Sequence, residues 1–230
     1  SVQYEEDVVI GMVRLEGHVR APGERPLVSN PTLQTLVNDV YQLGDEPYLP
    51  FAVIETTDAK TYARHYRGIN LNTILSGKLD YTLLDRDRLI VLSSADVEFL
   101  SSSLVREAIN SSEMLESNCP GLNRLAKTVV DSGAERFASA TRWFTLGSQR
   151  YEENKRDEEA EKLSQKEETE SEESEESEEE KPDCQAVYVN NEYLLGFLLE
   201  NVVSITGAVT KPGIYPMTRE ASLNGALSMA

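Results

Sequence analysis

Histidine, cysteine and tryptophan are scarce in this chain, at two, two and one among 230 residues. The two histidines, His18 and His65, are too few for a histidine-rich metal centre, and their sequence contexts read as strand faces. The two cysteines stand outside any Cys-x-x-Cys pair, so no metal is expected. Basic residues are also short: 22 Lys and Arg face 40 Asp and Glu, for a net charge of −18. That balance argues against a nucleic-acid partner, whose phosphates need clustered Lys and Arg, and against an anionic membrane surface. Long apolar runs are missing too. The longest, at 193–199, falls far short of the roughly 20 residues that span a bilayer. No basic-then-apolar leader opens the chain, and 222–230 reads as a helix with no cap behind it. The expectation is a piece of a longer protein, with any export signal or anchor elsewhere. Neither a Gly-x-Ser-x-Gly elbow nor a phosphate-binding Gly-x-x-x-x-Gly-Lys loop occurs. Catalysis and cofactors are therefore not expected.

The acidity belongs to one segment. Residues 152–183 hold 17 acidic and 5 basic side chains, a local net of −12. Such composition cannot bury enough apolar surface to offset its ordering entropy, so 151–183 reads as a disordered linker. Weak divalent-cation association is the functional alternative, but the spacing of a calcium loop is absent.

What the chain does have is an internal repeat. The stretch from Val13 to Gly23 returns as Val203 to Gly213, with Gly17, Val19, Pro22 and Gly23 matched by Gly207, Val209, Pro212 and Gly213. The offset of 190 continues to Pro26 against Pro216 and Leu33 against Leu223. Val13, Leu15 and Val19 alternate with polar residues, as in a half-buried strand. Gly17 interrupts it, suggesting a bulge or a close backbone approach. Pro22-Gly23 and Pro212-Gly213 carry the preferences of a type II turn, and a returning strand is expected at 25–28. Asn30 and Pro31 read as N-cap and first helical residue. Leu33, Leu36, Val37, Val40 and Tyr41 follow at helical spacing, with Gly44 as terminator. Further strands are expected at 51–56, 62–66 and 88–92. This order of elements predicts an α+β fold, with a helix packed across one sheet.

These residues carry a resemblance. Gly17-x-Val19-x-x-Pro22-Gly23, the Leu33 helix, Asn70-Leu71 with Ile74-Leu75, and Leu84-x-x-x-Arg88-Leu89-Ile90-Val91 resemble the soluble ligand-binding β-grasp (SLBB) domain of bacterial outer-membrane polysaccharide export proteins. Asp85-Arg86-Asp87 stands where that family usually has Gly-Asp, and Leu43-Gly44-Asp45 lacks its double glycine. The resemblance divides the chain into a first β-grasp domain at 1–94, a helical insert at 95–150, the acidic linker at 151–183, and a connecting segment with the truncated start of a second β-grasp domain at 184–230. It implies a periplasmic location, attachment to the outer membrane through parts outside this chain, and a homo-oligomeric ring. That ring would conduct capsular polysaccharide or exopolysaccharide and couple to an inner-membrane co-polymerase or export partner. The alternative is a module that recognises a soluble glycan or cofactor.

Within the insert, Val97, Leu100, Leu104, Val105 and Ile109 fit one amphipathic helix, and Leu122, Leu125, Ala126, Val129 and Val130 another. Phe137, Trp143 and Phe144 read as core residues, with docking of these helices on the β-grasp unit as the alternative. Cys119 and Cys184 flank the acidic run, which suggests a disulfide tying the loop's ends. Its closure would contribute roughly 4 kcal/mol in the chain-entropy model and would suit an oxidising periplasm. Two free buried thiols are the alternative.

Overall fold

A computed structural model describes residues 11–147 and 184–219. The acidic linker read at 151–183 and the helix read at 222–230 lie outside the described residues. Two compact units result, the first from residues 11–96 and the second, in the main, from 97–216.

The first unit is a mixed five-stranded sheet. Strand β1 (Met12–Gly17) pairs antiparallel with β2 (Gly23–Pro26) and parallel with β5 (Arg88–Val91). Strand β3 (Ala52–Thr57) pairs antiparallel with both β5 and β4 (Arg64–Ile69). The order is β2-β1-β5-β3-β4. Side chains of a strand alternate between faces, so Val13, Leu15, Ala52, Ile54, Leu89 and Val91 share one face. There they meet Leu33 and Leu36 of α1 (Leu33–Leu36) and Leu71 and Ile74 of α2 (Leu71–Leu75), closing the core. Burying each such side chain is worth about 1.5–3 kcal/mol. The fold class is α+β, as expected from the order of elements.

Local details differ from the sequence reading, each for a visible reason. The strand β2 begins at Gly23 (φ 136°) and Val28 is exposed. No tight type II turn joins it to β1, because residues 18–20 are held by residues 42–44. Arg20 N–H donates to the Gln42 carbonyl at 3.0 Å, Gly44 N–H donates to the His18 carbonyl at 2.9 Å, and Val19 bridges Leu43. Gly44 therefore ends no helix; a β-carbon there would strike the His18 ring. The cap of α1 is Thr32, not Asn30, since Thr32 bridges Thr82 and starts the helix two residues later. Asn30 instead closes a turn onto the Pro26 carbonyl. After Leu36 the helix stops: Val37 is extended, and Asp39 caps a separate 3-10 turn, Val40–Gln42. Val40 and Tyr41 consequently point outward.

Helices dominate the second unit. The single helix expected over 97–109 is two, α3 (Ser94–Phe99) and α4 (Ser103–Asn110), because Ser102 caps the latter through Val105 N–H. Helix α5 (Pro120–Ser132) starts with Pro120 at its first position and buries Leu122, Leu125, Ala126 and Val129. A 3-10 turn (Ala134–Phe137), α6 (Ala138–Arg142) and a π-turn (Trp143–Gly147) follow. Phe137, Trp143 and Phe144 are buried. Helices α7 (Ala186–Asn190) and α8 (Leu194–Glu200) then lead into a hairpin of β6 (Val202–Ile205) and β7 (Gly213–Pro216). Tyr188 stacks on Phe99 at 5.3 Å, and the Arg124 guanidinium lies 4.2 Å above the Tyr193 ring.

Candidate functional site

The repeated residues build the same object twice. Met12, Val13, Arg14 and Leu15 pair with Pro26, Arg25, Glu24 and Gly23. Val202, Val203, Ser204 and Ile205 pair with Pro216, Tyr215, Ile214 and Gly213. The register is identical under the offset of 190. Gly17 and Gly207 both take positive φ, 79° and 108°, and each carbonyl accepts from the N–H two residues on, Val19 and Val209, at 2.9 Å. Pro22 and Pro212 close the two connections, immediately before Gly23 and Gly213 begin the returning strands. Surroundings separate the copies. A β-carbon on Gly17 would collide with the Val91 carbonyl of β5, whereas among the described residues nothing lies within 4 Å of the same position on Gly207.

On the face of the first sheet away from its core, a charged band crosses four strands. Arg88 of β5 donates to Glu55 of β3 at 2.9 Å through Nη1 and pairs with Glu16 of β1 through Nη2. Arg14 meets the other Glu16 oxygen at 2.6 Å, and Arg64 of β4 lies 4.0 Å from Glu55. Glu55 is 2 % exposed. Burial alone would push the Arg88 pKa down, but its hydrogen bond to Glu16 and the Glu55 charge outweigh it and hold the cation firmly. The Tyr66 phenol is pushed well up, first by burial and then by the neighbouring Glu55 carboxylate. The arrangement is a nearly charge-compensated lattice of hydrogen-bonding groups, solvent-exposed at Arg14 and Arg64 and dry at its centre. Both carboxylates accept from guanidinium groups of neighbouring strands, so the members of the lattice hold one another in place. Sequence reading missed it because its members come from four separate strands. The available signal was an ionisable residue at 16, 55 and 88, each in a strand that also supplies core residues.

In the second unit a groove of about 570 Å³ opens beside β6, lined by Ser139, Arg142 and Leu146 on one side and Val203, Ser204 and Thr206 on the other. Leu146 and Val203 are exposed apolar residues. Cys119 and Cys184 are brought together in a disulfide, tying the start of α5 to the residues before α7 across a sequence separation of 65. Such a bond belongs to an oxidising, non-cytoplasmic compartment. Among the described residues, no group of three His, Cys, Asp or Glu is placed to hold a metal ion, so neither His18 nor His65 belongs to one. No helix of the described residues is long and apolar enough to cross a membrane.

Known family models, curated proteins and solved structures contain no match to this chain.

Proposed function

We propose that this chain is a periplasmic part of an outer-membrane polysaccharide export channel, with β-grasp units that assemble into a homo-oligomeric ring around the polymer. The observation that carries the reading is the strand order β2-β1-β5-β3-β4 with β1 parallel to β5 and a short helix between β2 and β3. We read that connectivity as a β-grasp sheet, and the second hairpin repeats the register of β1 and β2. The disulfide supports an extracytoplasmic setting. The charged band supports a hydroxyl-rich partner: paired guanidinium and carboxylate groups offer many donors and acceptors with little net field. A conduit needs broad polar contacts of this kind rather than one enclosing pocket. The chain's role is passive, to frame a passage coupled to an inner-membrane co-polymerase.

The test is to extract the full-length protein from outer membranes and image it by electron microscopy. Closed rings with a lumen are the expected result. Monomers that bind one soluble glycan at a saturable site would replace the conduit with a recognition module.

A further inference from the structure

The hairpin that joins β3 to β4 ends in a tip that is tightly pinned and yet strained. Asp58 N–H donates to the Ala63 carbonyl and Tyr62 N–H to the Asp58 carbonyl, both at 2.9 Å. The Asp58 carboxylate accepts from Lys60 N–H, Thr61 N–H and the Thr61 hydroxyl at 2.9, 2.7 and 2.9 Å. An aspartate that gathers its own backbone in this way stiffens a turn. Within it Tyr62 takes φ 55°, a left-handed conformation that disfavours a bulky side chain. Packing does not offset that strain. Tyr62 is 70 % exposed, and among the described residues its ring and hydroxyl have no hydrogen-bond, ion-pair or ring partner. Asparagine or glycine would meet the same turn at lower cost, so the tyrosine adds surface rather than stability.

The residues around the ring indicate what it meets. Two positions on, Arg64 opens the charged band, its side chain 53 % exposed and 4.0 Å from Glu55. Arg64 also forms the last rung of the ladder with Thr57, which roots the tip in the sheet that bears the band. Lys60 and Thr61, both exposed, add further polar groups at the tip. A pyranose has two kinds of surface, a rim of hydroxyls and a face of C–H groups with slight positive charge. The rim suits paired guanidinium and carboxylate groups, and the C–H face suits the electron-rich face of an aromatic ring. Adjoining positions of one hairpin supply both. A tyrosine on so pinned a backbone also loses little freedom on contact. We infer that Tyr62 is the sugar-stacking contact of the first unit, seating a pyranose of the polymer on its ring while Arg64 and the band bind the hydroxyls. The inference rests on the export reading and adds to it the residue that meets the polymer's C–H face. A protein partner fits less well, because a ring flanked by Lys60, Arg64 and His65 lacks the apolar surround of an interface core.

The probe is the surface polysaccharide purified from the cells that make this protein, titrated into the whole chain and followed by backbone amide NMR. The expected result is saturable binding with shifts at residues 58–66. Tyr62→Asn suits the left-handed backbone, so its urea midpoint should equal or exceed that of the wild type. Its binding should nonetheless weaken about fivefold, the worth of one aromatic contact. Tyr62→Phe keeps the ring and should bind like the wild type. Binding that leaves residues 58–66 unmoved, an asparagine variant that binds as well as the wild type, or a phenylalanine variant that loses as much as the asparagine one would each overturn the proposal. So would an asparagine variant clearly less stable than the wild type, which would give the ring a structural role. Absence of any binding would also overturn the contact, and a deletion strain then shows whether the export reading falls with it. An unchanged surface coat removes both, whereas a lost coat leaves the export reading standing without this contact.

Discussion

Arg88 holds two carboxylates, Glu16 and Glu55, at a place where water is largely excluded. Removing one partner of a buried pair strands the other charges, at a cost of about 3–5 kcal/mol. Arg88→Met should therefore lower unfolding stability by that order in urea titration, and adding Glu55→Gln should recover part of the loss. A double-mutant cycle that found the two changes additive would show that the pair is not coupled. Gly17 and Gly207 give a second comparison. Alanine at either must take positive φ, about 1–3 kcal/mol of strain, but only at Gly17 does the new β-carbon also strike the Val91 carbonyl. Gly17→Ala should be clearly the more damaging in denaturant melts, and equal costs would contradict the account. Asp87 supplies a pH dependence. Its pKa is raised chiefly by burial, against the opposing Leu84 N–H, Thr56 hydroxyl and Arg67. A carboxyl that holds its proton longer when folded loses stability as pH rises from the unfolded pKa through the folded one. The wild type should weaken over that acidic window, and Asp87→Asn should flatten this part of its stability–pH profile.

At the scale of elements, the hairpins were the most legible part of the sequence. Alternation at Val13, Leu15 and Val19, with the glycine and Pro-Gly recurring 190 residues later, marks strand, close approach and return, while residues 42–44 and Val91 decide the shape of the connection. The helix after Pro31 was misread because its apolar spacing runs unbroken from Leu33 to Tyr41. The competing signal was Asp39 with Gln42 three residues on, a capping box that starts a new turn. Long-range pairing decided the rest: Thr32 is fixed by Thr82, and His18 by Gly44, neither of which periodicity can reveal. The charged band was illegible for the same reason. The disulfide is an element-scale constraint of another kind. It closes a loop of sequence separation 65, for which the chain-entropy relation gives about 4 kcal/mol. Replacing Cys119 and Cys184 together by serine should lower stability by up to that amount and loosen the start of α5, seen as faster amide exchange just after Pro120. Unchanged exchange there would mean that α5 holds without the bond.

For the whole molecule, composition narrowed the options more than it chose among them. Residues 152–183 carry −12 of the net −18, so most of the net charge belongs to that stretch rather than to the two described units. The α+β class followed from the order of elements; the two-unit division rests on contacts that only the folded chain displays. Function was read from the resemblance, and the sheet order with its repeated hairpin supports that reading. The most direct measurement is to delete the parent gene and follow the surface polysaccharide by immunostaining and cell fractionation. Loss of polymer from the surface, with accumulation in the periplasm and recovery on complementation, is the predicted result. An unchanged surface coat in the deletion strain would contradict the export role.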